Sequence, residues 1–195
     1  EQGQISTAAQ IRDEMAGLFP EDQKLNEVYR LLERGQYPRA LALSRELISL
    51  DPYRGDYYQV LGNSLASVGQ YDSAEVHYRT AIKLIPYSPM IKNEFGQLLL
   101  KTTRYAEAAD VFREIRDYDK SITQAAEGLA LAYYYLNRDD DALAIADTLF
   151  AADPSSPGGH LICLVVNLRR GDRAVAREHF EKYLVSGKSR TDYKG

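Results

Sequence analysis

The sequence predicts an all-α fold built from about five stacked helix pairs. Three observations carry that expectation. A Gly-x-Tyr-x-x-Ala skeleton recurs at a fixed spacing of 34 residues. An alanine holds the same place in all five copies. Prolines close several copies at equal spacing. Gly35, Tyr37, Ala40 and Pro52 match Gly69, Tyr71, Ala74 and Pro86. Tyr105 and Ala108 continue the series, then Ala142 and Pro154, then Gly171 and Ala176. A fixed period in this range marks a stacked repeat. The small residue lets two helix backbones come close, and the proline ends a helix because it cannot continue one.

The expected helix pairs lie at 22–34 and 37–50, 56–68 and 71–84, 90–102 and 105–117, 122–136 and 139–152, and 158–170 and 172–185. Ser6 or Thr7 caps a further helix that stops before Pro20 and covers the open end of the stack, as terminal repeats require. The chain thus divides into a capping helix over 1–20, repeats over 21–54, 55–88, 89–122, 123–156 and 157–185, and a polar tail over 186–195. Ser88-Pro89 and Ser156-Pro157 place a capping hydroxyl before a first-turn proline. Ser121-x-x-Gln124 reads as a capping box that restarts the chain where Lys120 replaces the expected proline. Asp139-Asp140-Asp141 puts negative charge at a helix start, where the dipole favours it. Thr103 and Asn137 stand where the other copies have glycine.

The copy Tyr58-x-x-Leu61-Gly62-x-x-Leu65, Gly69-x-Tyr71-x-x-Ala74-x-x-x-Tyr78-x-x-Ala81, Pro86 resembles the tetratricopeptide repeat (TPR) family, and the resemblance extends over about 21–185. It implies a right-handed superhelix with an inner lining drawn mostly from the first helix of each repeat.

Composition narrows the class. The 195 residues are 45% hydrophobic and 27% charged, with a net charge of −4. That balance has no basic footprint for nucleic acid. No apolar run reaches the roughly 18 residues of a spanning helix. Cys163 is the sole cysteine, so no internal disulfide forms, and its apolar surroundings suit a structural thiol. Arg169, Arg170, Arg173 and Arg177 make a local basic cluster, read as a solvated face.

No catalytic constellation stands out, and the chain is expected to be neither an enzyme nor a binder of a cofactor or metal. The three histidines, His77, His160 and His179, lack metal-ligand spacing. His77 and His179 share one repeat position. There is no Gly-rich phosphate loop and no nucleophile elbow.

The resemblance implies instead a concave peptide-binding groove. Its expected lining is Gln59, Asn63, Asn93, Gln97, Leu100, Leu131, Tyr134, Tyr135, Val165 and Leu168. The amides at 59, 63, 93 and 97 can pair with the backbone of an extended peptide or form a solvated surface. The apolar half can take an amphipathic helix, pack on itself or be covered by the tail. The lysine and asparagine clamp of chaperone-binding TPRs is incomplete, because Gln59, Asn63 and Glu94 occupy the matching positions. The expected function is a TPR adaptor for a protein or peptide partner. The architecture is similar to bacterial envelope TPR lipoproteins of the pilotin type, with a secretin or pilus component as partner. That similarity implies the periplasmic side of the outer membrane and a lipid-bearing cysteine upstream of Glu1. A self-stacking scaffold, joined through the last repeat, and a recruiting subunit of a separate enzyme are the alternatives.

Overall fold

The structure, a computed structural model, describes residues 20–191. Regular structure among them is helical throughout. The expected helix over 1–20 lies outside the described residues, except for Pro20. The chain divides into two compact units, one through Ile91 and one from Lys92.

Unit 1 holds α1 (Pro20–Glu33), α2 (Tyr37–Leu50), α3 (Gly55–Ser67) and α4 (Tyr71–Leu84), and the first residues of α5 (Pro89–Lys101). Its core gathers Val28 and Leu31 of α1, Ala40 and Leu47 of α2, and Tyr57 and Val60 of α3. A polar point sits inside it. Ser44 donates to the Ala40 carbonyl at 2.8 Å and lies 3.1 Å from the Ser64 hydroxyl, which donates to the Val60 carbonyl at 2.7 Å. Both hydroxyls are buried and both are satisfied, so neither carries a large desolvation cost.

Unit 2 holds the rest of α5, then α6 (Tyr105–Tyr118), α7 (Thr123–Tyr135), α8 (Asp139–Ala152), α9 (Pro157–Arg170) and α10 (Arg173–Thr191). Phe112 of α6 is its buried hub. A Cβ added at Gly96 of α5 would sit 2.6 Å from the Phe112 ring, and one at Gly128 of α7 only 2.4 Å. Real side chains do not approach so closely, so these glycines admit the ring between two helices.

The repeated alanines explain themselves in both units. Ala40, Ala74, Ala108, Ala142 and Ala176 are each 0–1% exposed. The turns explain the repeated glycine. Gly35, Gly69 and Gly171 adopt φ of 69°, 78° and 84°, the left-handed region. Thr103 and Asn137 hold the same turn at φ 61° and 58°. The departure from glycine therefore leaves the turn in place and strains it, by about 1–2 kcal/mol for an ordinary side chain.

Two local expectations change. Ser121 does not form a capping box: Ile122 is the N-cap of α7 and no side chain caps it. Ser121 turns back instead, its N–H and hydroxyl both donating to Asp119 Oδ1 at 2.8 and 2.7 Å. Asp51 and Asp153 accept from Tyr53 and Ser155 in the same way at 2.9 Å. An aspartate turn thus follows three of the second helices, with a proline after Asp51 and Asp153 and without one after Asp119, whereas Ile85 stands at that place after α4. The last helix also runs on to Thr191, past the expected end at 185. No proline occurs after Pro157 to stop it. The Ser156 cap forms as expected, accepting from the Gly159 N–H at 3.2 Å, and Ser88 accepts from Ile91 at 3.4 Å.

Candidate peptide-binding surface

The ten expected lining residues divide between the units, and the structure treats the two groups differently. In unit 1, Gln59 is buried and so offers no surface, contrary to expectation. Asn63 is half-buried, and its Oδ1 accepts from the Tyr78 hydroxyl at 2.5 Å. Its acceptor is used to fasten α3 to α4.

Unit 2 keeps more of the ladder open. Gln97, Leu131 and Val165 occupy one register on α5, α7 and α9. Gln97 is exposed, and Leu131 and Val165 are half-buried. Leu100, Tyr134 and Leu168 occupy the next register. Leu100 is buried, a second correction, while Leu168 is 56% exposed. Asn93 is half-buried, and its Oδ1 is buried with no hydrogen-bond partner among the described residues. Such an acceptor costs stability until a donor reaches it.

The two tyrosines have structural work as well. Tyr135 is 46% exposed yet stacks on Tyr105 of α6, ring centroids 4.6 Å apart. Tyr134 meets Tyr135 edge-on at 5.3 Å. The Arg169 guanidinium lies 3.9 Å from the Tyr134 centroid and donates to the Tyr134 carbonyl at 2.7 Å. Arg169 also bridges Asp139, and Arg170 reaches Asp140 at 2.7 Å. Two of the four arginines of the basic cluster are therefore ion-paired, and two of the three clustered aspartates hold α8 to α9.

The helix His160–Leu168 is less enclosed than its composition suggests. Ile162, Cys163 and Val166 are buried, Leu161 and Val165 are half-buried, and Leu168 is exposed. Burial pushes the Cys163 thiol up to about 11, so at neutral pH it stays protonated and unreactive.

One cluster escaped the sequence reading. His160 of α9 and His179 of α10 place their Nδ1 atoms 3.1 Å apart, so one ring donates to the other. The Phe150 ring lies against both. Burial lowers both pKa values below the ordinary histidine range, and Lys182 lowers both further. A hollow of about 460 Å³, lined in part by Pro154, His160, Glu181 and Val185, opens beside them. The signal was present in the sequence. Tyr58 and His77, stacked at 6.0 Å in unit 1, have the same 19-residue offset between first and second helix.

Comparison with known proteins agrees with this architecture. Two family models, each described as tetratricopeptide repeat, match residues 93–157 and 55–88, together half of the chain. Protein FlbA of Caulobacter vibrioides is 24% identical over 120 residues, 62% of this chain and 20% of that protein. The chain thus spans about a fifth of the length of this curated relative. Among solved structures, MamA from Desulfovibrio magneticus RS-1 is 25% identical, with 87% of this chain and 96% of that chain covered and a TM-score of 0.73. PilW, described as a widely conserved type IV pilus biogenesis factor, is 20% identical, with 86% and 78% covered and a TM-score of 0.77. Repeat period, buried alanines, left-handed turns and both family matches lead to one assignment: the chain is a tetratricopeptide-repeat protein.

Proposed function

We propose that the protein is a non-enzymatic adaptor that binds an amphipathic helix or extended peptide of a partner protein on the first-helix surface of unit 2. The observation that carries the reading is the exposed apolar and aromatic row there. Leu168 and Tyr135 are exposed beside half-buried Leu131, Tyr134 and Val165. Tyrosine offers a large rigid face with a hydroxyl, which suits an interface. The exposed Gln97 amide supplies donors and an acceptor for a peptide backbone in the same unit. Laying an apolar helix face on such a row is a general recognition mode, and its affinity comes from burial at about 25 cal/mol per Å² before association costs.

The setting we propose is assembly of a bacterial envelope machine, a pilus or a secretin, on the periplasmic side of the outer membrane. The fold shared with PilW supports that setting. The test is capture from envelope extract by the wild-type chain and by a Leu131→Asp, Leu168→Glu double variant that retains its circular dichroism. A secretin or pilus component held by the first and lost by the second is the expected result. Equal capture by both removes the unit 2 surface from the proposal.

A further inference from the structure

Ala176, His179, Tyr183 and Ser186 follow helical spacing and share one stripe of α10. Ala176 is buried, and the other three are half-buried, whereas Arg177, Phe180 and Leu184 are exposed. Among the described residues, α9 is the one helix that α10 lies along, and Ala176 is the one buried side chain of α10. A helix that buries so little opens more readily than the core of a fold. His179 stands in the middle of this attachment, against the buried His160 of α9.

The contact admits a limited number of protons. A neutral imidazole has one N–H and one acceptor nitrogen, so a single proton lies between the facing Nδ1 atoms, 3.1 Å apart. One added proton is tolerated, because an imidazolium Nδ1–H can still donate to a neutral Nδ1. A second is not. Both facing nitrogens are then donors, and two like charges meet at hydrogen-bond distance.

The surroundings do little to offset the second charge. The Phe150 ring of α8 lies against both histidines, its centroid 4.8 and 6.2 Å from theirs. Lys182, one turn beyond His179, adds a positive charge beside both. The nearby carboxylates are Asp153, which follows α8, with Glu178 and Glu181 of α10. Asp153 Oδ1 accepts from Ser155, and Glu178 accepts from Lys182 at 2.6 Å, so two of the three are engaged. The same register holds Ala126 and Ile145 between α7 and α8, and a single histidine, His77 beside Tyr58, in unit 1. The doubly titratable pair is particular to α9 and α10.

We propose that the His160–His179 contact is an acid-operated latch on α10. It holds the helix against α9 while the pair carries at most one added proton, and releases it when both rings are charged. The release is local, and the other helices keep their fold. The device lies apart from the first-helix row of unit 2 and does not depend on what binds there.

The test is amide hydrogen exchange of the full 195-residue chain near neutral and near pH 5, corrected for the intrinsic effect of pH on exchange. Exchange across 173–186 should rise by at least about tenfold at the lower pH, while α3, α4 and α7 change by less than about threefold. His179→Gln can still donate to His160 but cannot form the doubly charged pair, so it should bring α10 within the same threefold. His160→Ala with His179→Ile copies the Ala126 and Ile145 pair and should abolish the effect. Lys182→Gln removes the ammonium beside both rings and should move the opening to higher pH. His77→Gln should leave it unchanged. Circular dichroism at neutral pH checks that each variant is folded. Exchange in α10 that does not respond to pH overturns the proposal. So does an acid response that persists in both His179 variants, or one that rises equally in every helix of unit 2.

Discussion

At one register the two units solve the same packing problem in opposite ways. In unit 1, Ser44 on the second helix faces the Val60 backbone of the next first helix, its hydroxyl 3.4 Å from the Val60 carbonyl. In unit 2, the equivalent pair is Phe112 and Gly128, with the volume moved to the other partner. Both residues on the second helix are fully buried. A close-packed interior constrains the summed volume at a contact more tightly than the identity of either side chain. The difference lies in what fastens the contact. The Ser44 contact uses hydroxyls that are already satisfied, whereas the Phe112 contact uses one aromatic ring and two glycines.

The strongest way to break the comparison is to remove the ring. Phe112→Ala should cost about 3–5 kcal/mol, because no neighbouring side chain can fill the space between Gly96 and Gly128. Ser44→Ala, at the same register, should cost about 1 kcal/mol, since Ser64 keeps its bond to the Val60 carbonyl. Denaturant melts of the two variants measure the gap. Equal losses would mean that the register, and not the filling, sets stability.

A second prediction sharpens the contrast through pH. In unit 2, burial holds His160 and His179 below the ordinary value of about 6.5. The unfolded chain then binds more protons than the native one as pH falls through that range, so stability is present above it and is lost as pH falls. Protons added to this pair also repel each other and Lys182, while Asp153 and Glu178 offset part of that repulsion. The melting temperature should therefore drop between about pH 7 and pH 5. His179→Gln should flatten the drop. Unit 1 contributes through His77, lowered by burial and by Arg45, so His77→Gln tests the other half of the slope. A melting temperature independent of pH across this range would refute the account.

The smallest effect concerns the turns. Thr103→Gly should stabilise by up to about 1 kcal/mol, because a β-branched residue at φ 61° gives way to one that adopts this region freely. Asn137→Gly should gain less, since asparagine tolerates the left-handed region. A loss at Thr103 would show that its side chain makes contacts that outweigh the strain.

Much of the fold was legible in the residues themselves. The 34-residue period fixes helix order and pairing, because each repeated glycine, alanine and proline acts on its own turn or on the helix beside it. Even Thr103 and Asn137, which break the pattern, obey it in φ. The candidate site was legible only in part. Gln59 and Leu100 fall on the expected register and are buried all the same. Tyr134 and Tyr135 are open yet anchored to Arg169 and Tyr105. The His160–His179 contact joins residues 19 apart, an offset shared with Tyr58 and His77 that acquires meaning only once the helices pair.

The sequence by itself determined that this is a stack of helix pairs, where each pair turns, and which small residues let the helices close. Those are short-range constraints of backbone geometry and side-chain volume. Tertiary structure alone decided which register positions remain open to a partner. Leu100 and Leu168 share a register, yet one is buried and the other exposed, because burial is set by packing between helices and not by the local pattern.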